Sequence, residues 1–431
     1  MTASSDFRPR SAWTMTILLT GLALINFLDK VVVGVVAVPM TKDLGLSHAQ
    51  FGLVAGAFFW LFSISTVLVG LVSNRIQTRW LLLAMGIAWA ALQIPQAVTT
   101  SVFALLVCRV LLGAAEGPFM PTTVHSLYKW FPDHKRNLPV AIVSQGAGLG
   151  LLMAGLLIPL VTARYGWRMN FMLLGGIGVA WSVLWLCFGR EGNLGAQGRP
   201  LTVDISGPRR PLRKTLTDRS VLCVFLLGFA AYWSLSQLFT WLPMYLEKGL
   251  GYPNVQAGRW FAAVIITATP INLGLSWLSQ AMLERGVSTR VARVRLLSMA
   301  FIASGVIYLM PLLLELDHFQ KVLMLALGAS LPTVCFAIGP ALLAEVVPEY
   351  QRGAALSIYT ALGSLGGAIS PALMGALVQR GGTIASACEQ GFATCAVLVV
   401  AAALLALRFL HPERSRRVLS ASAPEAQSTT V

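Results

Sequence analysis

The chain has 431 residues, of which 56% are hydrophobic and 11% are charged, whereas about a quarter of the residues of a soluble domain are charged. A soluble protein of this length needs more polar sequence to cover its surface, so the composition excludes that class. The net charge of +15, from 32 Lys and Arg against 17 Asp and Glu, does not indicate a nucleic-acid partner, because membrane proteins collect basic residues in cytoplasmic loops.

Twelve runs of about 20 or more mostly apolar residues predict twelve membrane-spanning helices. The polar start and the length of the first run favour a retained first helix over a cleaved signal peptide. The approximate limits of the twelve runs are 13–40, 51–73, 80–99, 101–127, 139–163, 169–188, 219–246, 258–282, 294–314, 320–346, 354–379 and 388–410.

The distribution of basic residues predicts the orientation of these spans. Of the 32 Lys and Arg residues, 23 fall in loops and termini on one side of the predicted bundle, and seven fall on the other side. Because basic loops stay in the cytoplasm, we expect both termini to be cytoplasmic and the protein to lie in the cell inner membrane.

The chain divides into two similar halves. We predict a six-helix bundle at 1–188, a linker at 189–218 that is rich in Gly, Pro and Arg, a second bundle at 219–410 and a cytoplasmic tail at 411–431. The segment at 131–150 resembles the segment at 347–366, and Arg136 matches Arg352 at an offset of 216 residues. Duplicated halves are typical of transporters whose substrate site lies between them.

Asp29 and Lys30 interrupt the apolar first span. An ionised group near the bilayer centre costs about 2.5–3.5 kcal/mol on insertion scales, which makes such residues functional candidates. Adjacent residues point about 100° apart on a helix, so we expect Asp29 and Lys30 to have different partners. One interpretation is an ion-pair network that locks helices together. The other is a carboxylate that carries a proton and an ammonium group that holds an anion.

Arg109 and Glu116 form a second charged pair, in the fourth span. Their spacing of seven residues places them on one helix face, about 10 Å apart along the axis. Gly113 and Gly117 on the same helix allow a neighbouring helix to approach closely. Pro118 and the proline three residues after it are expected to kink the span near Glu116.

Arg109 keeps its charge when it is buried, and its guanidinium group suits a carboxylate. It is a candidate anion ligand. The alternative is a permanent ion pair with Glu116 or with Asp29.

Further polar residues in the spans are weaker candidates for contacts with a substrate. Each of these side chains could equally well form an ordinary hydrogen bond between helices. The six cysteines and five histidines show no spacing typical of disulfides or of a metal site, and no cofactor is predicted. The weaker candidates are Gln145, Tyr232, Gln237, Asn272, Tyr359 and Ser364.

Three segments resemble one known family. RVLLGAAEGPFMPTTVHSLYKWFP at 109–132 is similar to the fourth helix of the anion:cation symporter family of the major facilitator superfamily, which includes sugar-acid and phthalate transporters. INFLDK at 25–30 is similar to its first helix, and GLVSNRIQTR at 70–79 to the cytoplasmic gate loop of the superfamily. The resemblance covers nearly the whole chain and implies an all-α membrane fold of two pseudo-symmetric six-helix bundles.

The resemblance also implies roles for individual residues. Asp29 and Glu116 correspond to proton-coupling carboxylates, Lys30 to the cation that holds the substrate carboxylate, Arg109 to a partner of the acidic groups and Gln145 to a substrate contact. The gate residues are expected to be Asn74, Arg75, Arg79, Arg136 and Arg352.

The first half of the chain departs from the family pattern at four residues. Lys30 replaces an arginine, Asn74 replaces the gate aspartate, and Phe27 and Phe62 stand where sugar-acid transporters tend to have tyrosine. Since the phenylalanines lack hydroxyl donors, the substrate is expected to be less hydroxylated than a hexonate, such as an aromatic or short aliphatic carboxylate.

The predicted function is therefore proton-coupled import of a small organic anion by alternating access, performed by a monomer in a lipid bilayer. The alternative within transporters is an exporter or a substrate/product antiporter. A membrane enzyme is disfavoured by the lack of a nucleophile with a nearby base and of a cofactor motif, and a sensor by the lack of a soluble output domain.

Overall fold

The computed structural model describes residues 8–72, 76–132, 135–193 and 211–420. Every regular element in these ranges is helical, and twelve helices are long and apolar enough to cross a membrane. We number them in chain order: α1 Pro9–Val35, α2 His48–Gly70, α3 Thr78–Val98, α4 Val102–Tyr128, α5 Asn137–Tyr165, α6 Arg168–Phe188, α7 Arg219–Thr240, α8 Asn254–Glu284, α9 Arg290–Leu313, α10 His318–Val346, α11 Gln351–Gln379 and α12 Ile384–Phe409.

The outer surface of the helix bundle is apolar. Ile17, Phe103, Trp277 and Val397 are each more than 60% exposed, which is unfavourable in water and suits contact with lipid tails. The expected all-α membrane fold with twelve spanning helices is confirmed.

Several spans are interrupted, and prolines explain two of the interruptions. The first predicted span runs to residue 40, but α1 ends at Val35 and a short helix, Ala37–Leu44, follows it. Pro39 lies within the short helix and has no N–H with which to bond the carbonyl of Val35, so the first helix stops there. Helix α4 breaks at Gly117 and Pro118 into Val102–Glu116 and Phe119–Tyr128.

Three other spans change geometry along their length, and a fourth is followed by an irregular helix. Helix α2 is interrupted between Ala57 and Phe62, and α10 contains a 3-10 turn at Leu331–Val334. Wider π-helical segments follow α7 at Tyr245–Gly249 and open α9 at Arg290–Arg295.

The bundle has two ends. We call the end where α1 begins and α12 ends the termini-bearing face, and the other end the opposite face. The tightest approaches between the first six and the last six helices lie toward the opposite face. Gly34 near the end of α1 packs against the backbone of Phe239 and Thr240 in α7, and a Cβ atom at Gly34 would overlap the Phe239 carbonyl.

Other contacts between the halves follow the same pattern. The backbone N–H of His48 donates to Gln379 over 3.1 Å, and the rings of Phe51 and Trp241 meet edge to face at 5.2 Å. All four residues lie at or near the opposite face, so the structure is closed at that end of the bundle.

The repeated segments adopt the same local structure. Arg136 Nε donates to the carbonyl of Phe131, and Arg352 Nε donates to the carbonyl of Val347, five residues back in both cases. Phe131 and Val347 are themselves 216 residues apart. The same side-chain bond at equivalent positions supports the duplication of the two halves.

The described ends of the predicted linker and tail are folded onto the bundle. Glu191 bonds to Thr78 and Lys129 of the first half. Leu212–Leu216 forms a short helix before α7, and Pro412–Ser420 forms a helix after α12. Glu413 of this last helix accepts from the backbone N–H of Arg290 on α9 over 3.1 Å. The start of the linker is therefore tied to the first bundle and the tail to the second.

Candidate functional site

The central charged contact joins Lys30 of α1 to Glu116 of α4. Lys30 Nζ lies 3.5 Å from Glu116 Oε2, and the two side chains are 11% and 0% exposed. Asn26 bridges them, because its Nδ2 donates to Glu116 Oε2 over 2.7 Å while its Oδ1 accepts from Lys30 Nζ over 3.1 Å. Asn26 lies one helical turn before Lys30, so both reach the same partner on α4.

Asp29 has a different partner. Its Oδ1 accepts a 2.6 Å hydrogen bond from Nε2 of Gln93 on α3. Asp29 is 1% exposed, and the nearly perpendicular directions of adjacent side chains on α1 carry it to α3 while Lys30 reaches α4. The two neighbouring charges are therefore anchored on separate helices and do not neutralise each other directly.

Arg109 is buried beside this network, and none of the ion pairs between described residues includes it. Its residue exposure is 2%, and in the described part of the chain its Nε and Nη1 have no hydrogen-bond partner. Its Cζ lies 4.9 Å from the centroid of the Phe58 ring. A buried guanidinium group with unused N–H donors is costly on its own, and it can accept an anionic ligand.

The glycines of α4 explain how the aromatic residues reach the site. A Cβ atom at Gly113 would overlap the carbonyl of Phe58, and one at Gly117 would overlap the carbonyl of Phe62. Helix α2 therefore packs directly on the backbone of α4, as the small residues predict. This close packing places Phe58 and Phe62 next to the charged residues of α1 and α4.

Three phenylalanine rings surround the Lys30 ammonium group. The distances from Nζ to the ring centroids are 4.4 Å for Phe27, 5.4 Å for Phe62 and 5.6 Å for Phe58. Rings at such distances attract a cation, and they offer no hydroxyl group to a bound ligand. The cation therefore sits in a pocket that is polar toward Glu116 and apolar elsewhere.

Two of the weaker candidates line a cavity between the halves. This cavity of about 240 Å³ is bordered by Gln145 on α5 and Asn272 on α8, with α7 and Thr333 of α10 beside them. Asn272 Nδ2 donates to Thr333 Oγ1 over 3.2 Å, and Gln145 is exposed in the cavity. Both halves thus present an amide to the same space.

Gln237 and Tyr359 are turned into the second half. Gln237 Nε2 donates to the carbonyl of Gly391 over 3.1 Å, which links α7 to α12. The Tyr359 hydroxyl donates to the carbonyl of Cys335 over 3.3 Å, and the residue is 4% exposed. The Gln237 Nε2 and the Tyr359 hydroxyl are thus bonded within the second half, whereas Gln237 Oε1 is buried without a hydrogen-bond partner among the described residues.

Tyr232 and Ser364 lie nearer the boundary between the halves. Tyr232 is half-buried against Phe336, with ring centroids 5.0 Å apart. Ser364 Oγ lies 2.5 Å from Oγ of Ser63, so this hydrogen bond joins α11 of the second half to α2 of the first.

Of the predicted gate residues, Asn74 and Arg75 lie outside the described residues. Arg79 is positioned by Glu191, whose Oε2 accepts from its backbone N–H over 2.9 Å, and by a bond from its Nη2 to Leu186. Glu191 also pairs with Lys129. Burial favours the neutral form of Glu191, but the hydrogen bonds from Lys129 and Arg79 outweigh it and lower the pKa of the carboxyl group below its usual value.

Arg136 and Arg352 both donate hydrogen bonds to backbone carbonyls a few residues earlier in the chain. Arg136 Nη2 donates to the carbonyl of Tyr128 over 3.0 Å, and its Cζ lies 4.6 Å from the centroid of the Tyr128 ring. Together with the two Nε bonds described above, these contacts fix the loops that follow α4 and α10.

Several polar residues of the structure were not among the sequence candidates. Asn26 and Gln93 are the partners that hold Lys30, Glu116 and Asp29. The signal for Asn26 was its spacing of one turn from Lys30, whereas an isolated glutamine in an apolar span carries no comparable signal.

The structure also contains a second ion pair inside the bundle, whose residues are not among the sequence candidates. Lys321 Nζ of α10 lies 2.7 Å from Glu389 Oε1 of α12, and the Tyr245 hydroxyl donates to the same oxygen over 2.8 Å. This cluster lies within the second half. No group of three or more His, Cys, Asp or Glu side chains among the described residues is placed to hold a metal ion.

Known proteins resemble this chain along most of its length. The family model of the Major Facilitator Superfamily matches residues 19–331 and 286–431. The chain is 27% identical to the hexuronate transporter of Bacillus subtilis, over 90% of this chain and 92% of that protein. It is 25% identical to the D-galactonate transporter of Escherichia coli, over 88% and 90%, and to a probable sulfoacetate transporter of Cupriavidus necator, over 83% and 85%.

Solved structures agree in fold. A bacterial homologue of the lysosomal transporter Spinster in an inward-facing, occupied conformation superposes with a TM-score of 0.75 at 17% identity, covering 96% of this chain and 98% of that one. A D-xylose–proton symporter gives a TM-score of 0.72 at 16% identity, covering 94% and 99%. The chain is therefore a member of the Major Facilitator Superfamily and a multi-pass membrane transporter rather than an enzyme.

Proposed function

We propose that the protein imports a small organic anion together with protons by alternating access. The observation that carries this proposal is the buried ion pair of Lys30 and Glu116. A substrate carboxylate that binds Lys30 must compete with the carboxylate of Glu116. Protonation of Glu116 removes the competing charge, so proton binding and anion binding favour each other.

Asp29 and Arg109 provide a second carboxylate and a second cation near Lys30 and Glu116. Asp29 is held by Gln93, and two N–H groups of Arg109 are buried without a hydrogen-bond partner among the described residues. With protons on Asp29 and Glu116, the positive charges of Lys30 and Arg109 are left for the substrate. A bound monocarboxylate lowers the net charge of these four groups from +2 to +1, and a dicarboxylate neutralises it, which reduces the cost of closing the site away from water.

Alternating access requires the two halves to separate at one face while they close at the other. The contacts between α1 and α7 and between His48 of α2 and Gln379 of α11 close the opposite face in this structure. With the termini in the cytoplasm of a cell inner membrane, as the basic loops predict, the structure corresponds to a transporter closed toward the outside. A single chain contains both halves, so a monomer suffices for the cycle.

The proposed substrate class rests on the positive charge of Lys30 and on the phenylalanine rings around it. The relatives carry names of transporters for hexuronate, D-galactonate, sulfoacetate and ascorbate, which supports an anion as substrate. Phe27, Phe58 and Phe62 enclose the Lys30 ammonium group without hydroxyl groups. They favour an aromatic or weakly hydroxylated carboxylate over a sugar acid.

Binding and transport assays test the proposal in turn. A thermal-shift screen of the purified protein against aromatic, short aliphatic and sugar-acid carboxylates identifies ligands, because binding to the folded state raises Tm. We expect the first two classes to stabilise the protein more than D-galactonate does. Tight binding of galactonate or glucarate, with none of aromatic acids, would contradict the substrate class.

Uptake into proteoliposomes then tests the coupling to protons. We expect an inward proton gradient to drive accumulation of the identified anion by the wild type. The Asp29→Asn variant should exchange the anion without accumulating it, and Lys30→Ala should lose binding. Normal uphill uptake by Asp29→Asn would refute the coupling role, and efflux under the same gradient would indicate an exporter or antiporter.

A further inference from the structure

Two adjoining cavities lie between α7 and α12 at the termini-bearing face. One is polar, encloses about 470 Å³ and is bordered by Arg219, Arg408, His411 and Arg414. The other encloses about 390 Å³ and is bordered mainly by apolar side chains of α7 and α12. Arg219 and Phe409 border both cavities, so the two lie side by side at these residues.

The polar cavity carries an excess of positive charge. Among the described residues, no ion pair includes Arg219, Arg408 or Arg414. The Cζ atoms of Arg219 and Arg408 lie 5.9 Å and 5.7 Å from the centroid of the Phe409 ring. One aromatic ring thus holds two guanidinium groups near each other without neutralising them.

The acidic residue of this cavity is already engaged. Asp218 Oδ1 caps α7 by accepting the backbone N–H groups of Ser220 at 2.9 Å and Val221 at 3.3 Å. Its Oδ2 accepts from the Ser415 hydroxyl at 3.2 Å. One carboxylate against three arginines leaves a net positive charge that complements an anion.

The apolar cavity runs from this charged end toward the middle of the membrane. Arg219, Leu222, Cys223 and Leu226 border it, and their spacing places all four on one face of α7, over a length of about 10 Å. Leu222 is 49% exposed and Leu405 on α12 is 42% exposed. On a membrane-spanning helix, such exposed side chains face lipid tails.

We propose that these cavities bind an anionic phospholipid, with its phosphate among the three arginines and an acyl chain in the groove between α7 and α12. A basic pocket between spanning helices at the membrane surface suits the headgroup of an acidic lipid. The continuous apolar groove distinguishes the lipid from a free phosphate or a soluble anion, which would leave the groove unfilled. The bound lipid would hold the start of α7 to the end of α12.

Native mass spectrometry of the full-length protein in detergent tests this proposal. Phosphatidylglycerol and phosphatidylcholine with the same acyl chains are added separately, and the bound lipid is measured against concentration. We expect phosphatidylglycerol to bind at about tenfold lower concentration than phosphatidylcholine, which corresponds to about 1.4 kcal/mol. Equal binding of the two lipids would overturn the proposal.

Variants locate the site and separate its two parts. The combined change Arg219→Ala, Arg408→Ala and Arg414→Ala should abolish the preference for phosphatidylglycerol, and the same three positions changed to lysine should keep most of it. Arg295→Ala is the matched control, since Arg295 is an exposed arginine near the same face that borders neither cavity. An unchanged preference in the triple alanine variant would overturn the proposal.

The groove is tested with one further substitution. Leu222→Trp fills the apolar cavity and should weaken binding of phosphatidylglycerol, while glycerol phosphate, which has no acyl chain, should compete poorly in every variant. Competition by glycerol phosphate at the concentration of the lipid would show that the groove contributes nothing and would refute the lipid assignment. Gel filtration and the thermal-shift ligand response confirm that each variant is folded.

Discussion

Replacing Glu116 with glutamine tests the proposed competition for Lys30 most directly. The change removes one negative charge and preserves the size of the side chain. Glu116 Oε2 and Lys30 Nζ are 3.5 Å apart, and the side chains are 0% and 11% exposed. Two unit charges at this distance attract by about 5 kcal/mol at an effective dielectric constant of ~20. This attraction opposes the transfer of Lys30 to a substrate carboxylate.

We expect the Glu116→Gln variant to bind the anion at least tenfold more tightly at neutral pH. A tenfold change requires only about 1.4 kcal/mol, less than a third of the calculated attraction. The affinity of the variant should also depend less on pH, because the competing carboxylate no longer titrates. Isothermal titration of wild type and variant across a pH series measures both effects.

Proton-driven accumulation should disappear in the same variant, while counterflow of the anion continues. Each coupled proton supplies about 1.4 kcal/mol per unit of pH difference, or tenfold accumulation. Glu389→Gln is the matched control, because Glu389 forms a similar buried pair with Lys321 in the second half. That variant should lose thermal stability and keep its coupling. Uphill uptake by Glu116→Gln at the wild-type level would refute the reasoning.

Three further predictions concern single residues. Lys30→Arg should retain anion binding, since the positive charge remains. The ratio of affinities for mono- and dicarboxylates should change, because a guanidinium fork replaces a point charge. Loss of all anion binding would contradict this prediction. Gly34→Ala should raise hydrogen exchange in the segment around Phe239, because the added Cβ atom overlaps the Phe239 carbonyl. Gly148→Ala is the control, since a Cβ atom there contacts nothing, and it should leave the exchange unchanged. Equal exchange in the two variants would contradict the packing argument. Glu191→Gln should lower Tm at neutral pH. Because the folded-state pKa of Glu191 is lowered, its ionised form stabilises the fold above the unfolded pKa of about 4.3, and this contribution is lost as the pH falls through the folded value. The Tm difference should therefore shrink in acid, and a constant difference would contradict the assignment.

The sequence was informative where a local rule decides the structure. The twelve spans follow from the length of each apolar run, and the break in α4 at Gly117 and Pro118 follows from the missing N–H of proline. The first apolar run predicts a span that continues to residue 40, but α1 ends at Val35, because Pro39 has no N–H to donate to the carbonyl of Val35.

Local rules did not identify the partners of the charged side chains. The spacing on α1 predicts different partners for Asp29 and Lys30, but Gln93 was identified only by the structure. Gln237 and Tyr359 show the converse case. Both were candidates for substrate contacts, but the Gln237 Nε2 and the Tyr359 hydroxyl donate to backbone carbonyls of the second half in this conformation. Polar residues that line a cavity and those that join helices look alike in a sequence.

The amino-acid sequence alone predicts that this protein spans a membrane twelve times and that the ionisable residues Asp29, Lys30, Arg109 and Glu116 lie within the spans. This prediction is possible because the free energy of placing a residue in lipid depends on that residue's own side chain. The folded structure was needed to show that Lys30 pairs with Glu116 and that α2 brings its phenylalanine rings to the site. It was also needed to show that no ion pair between described residues includes Arg109. Those contacts depend on the depth, rotation and close approach of separate helices, which packing sets for the whole bundle at once.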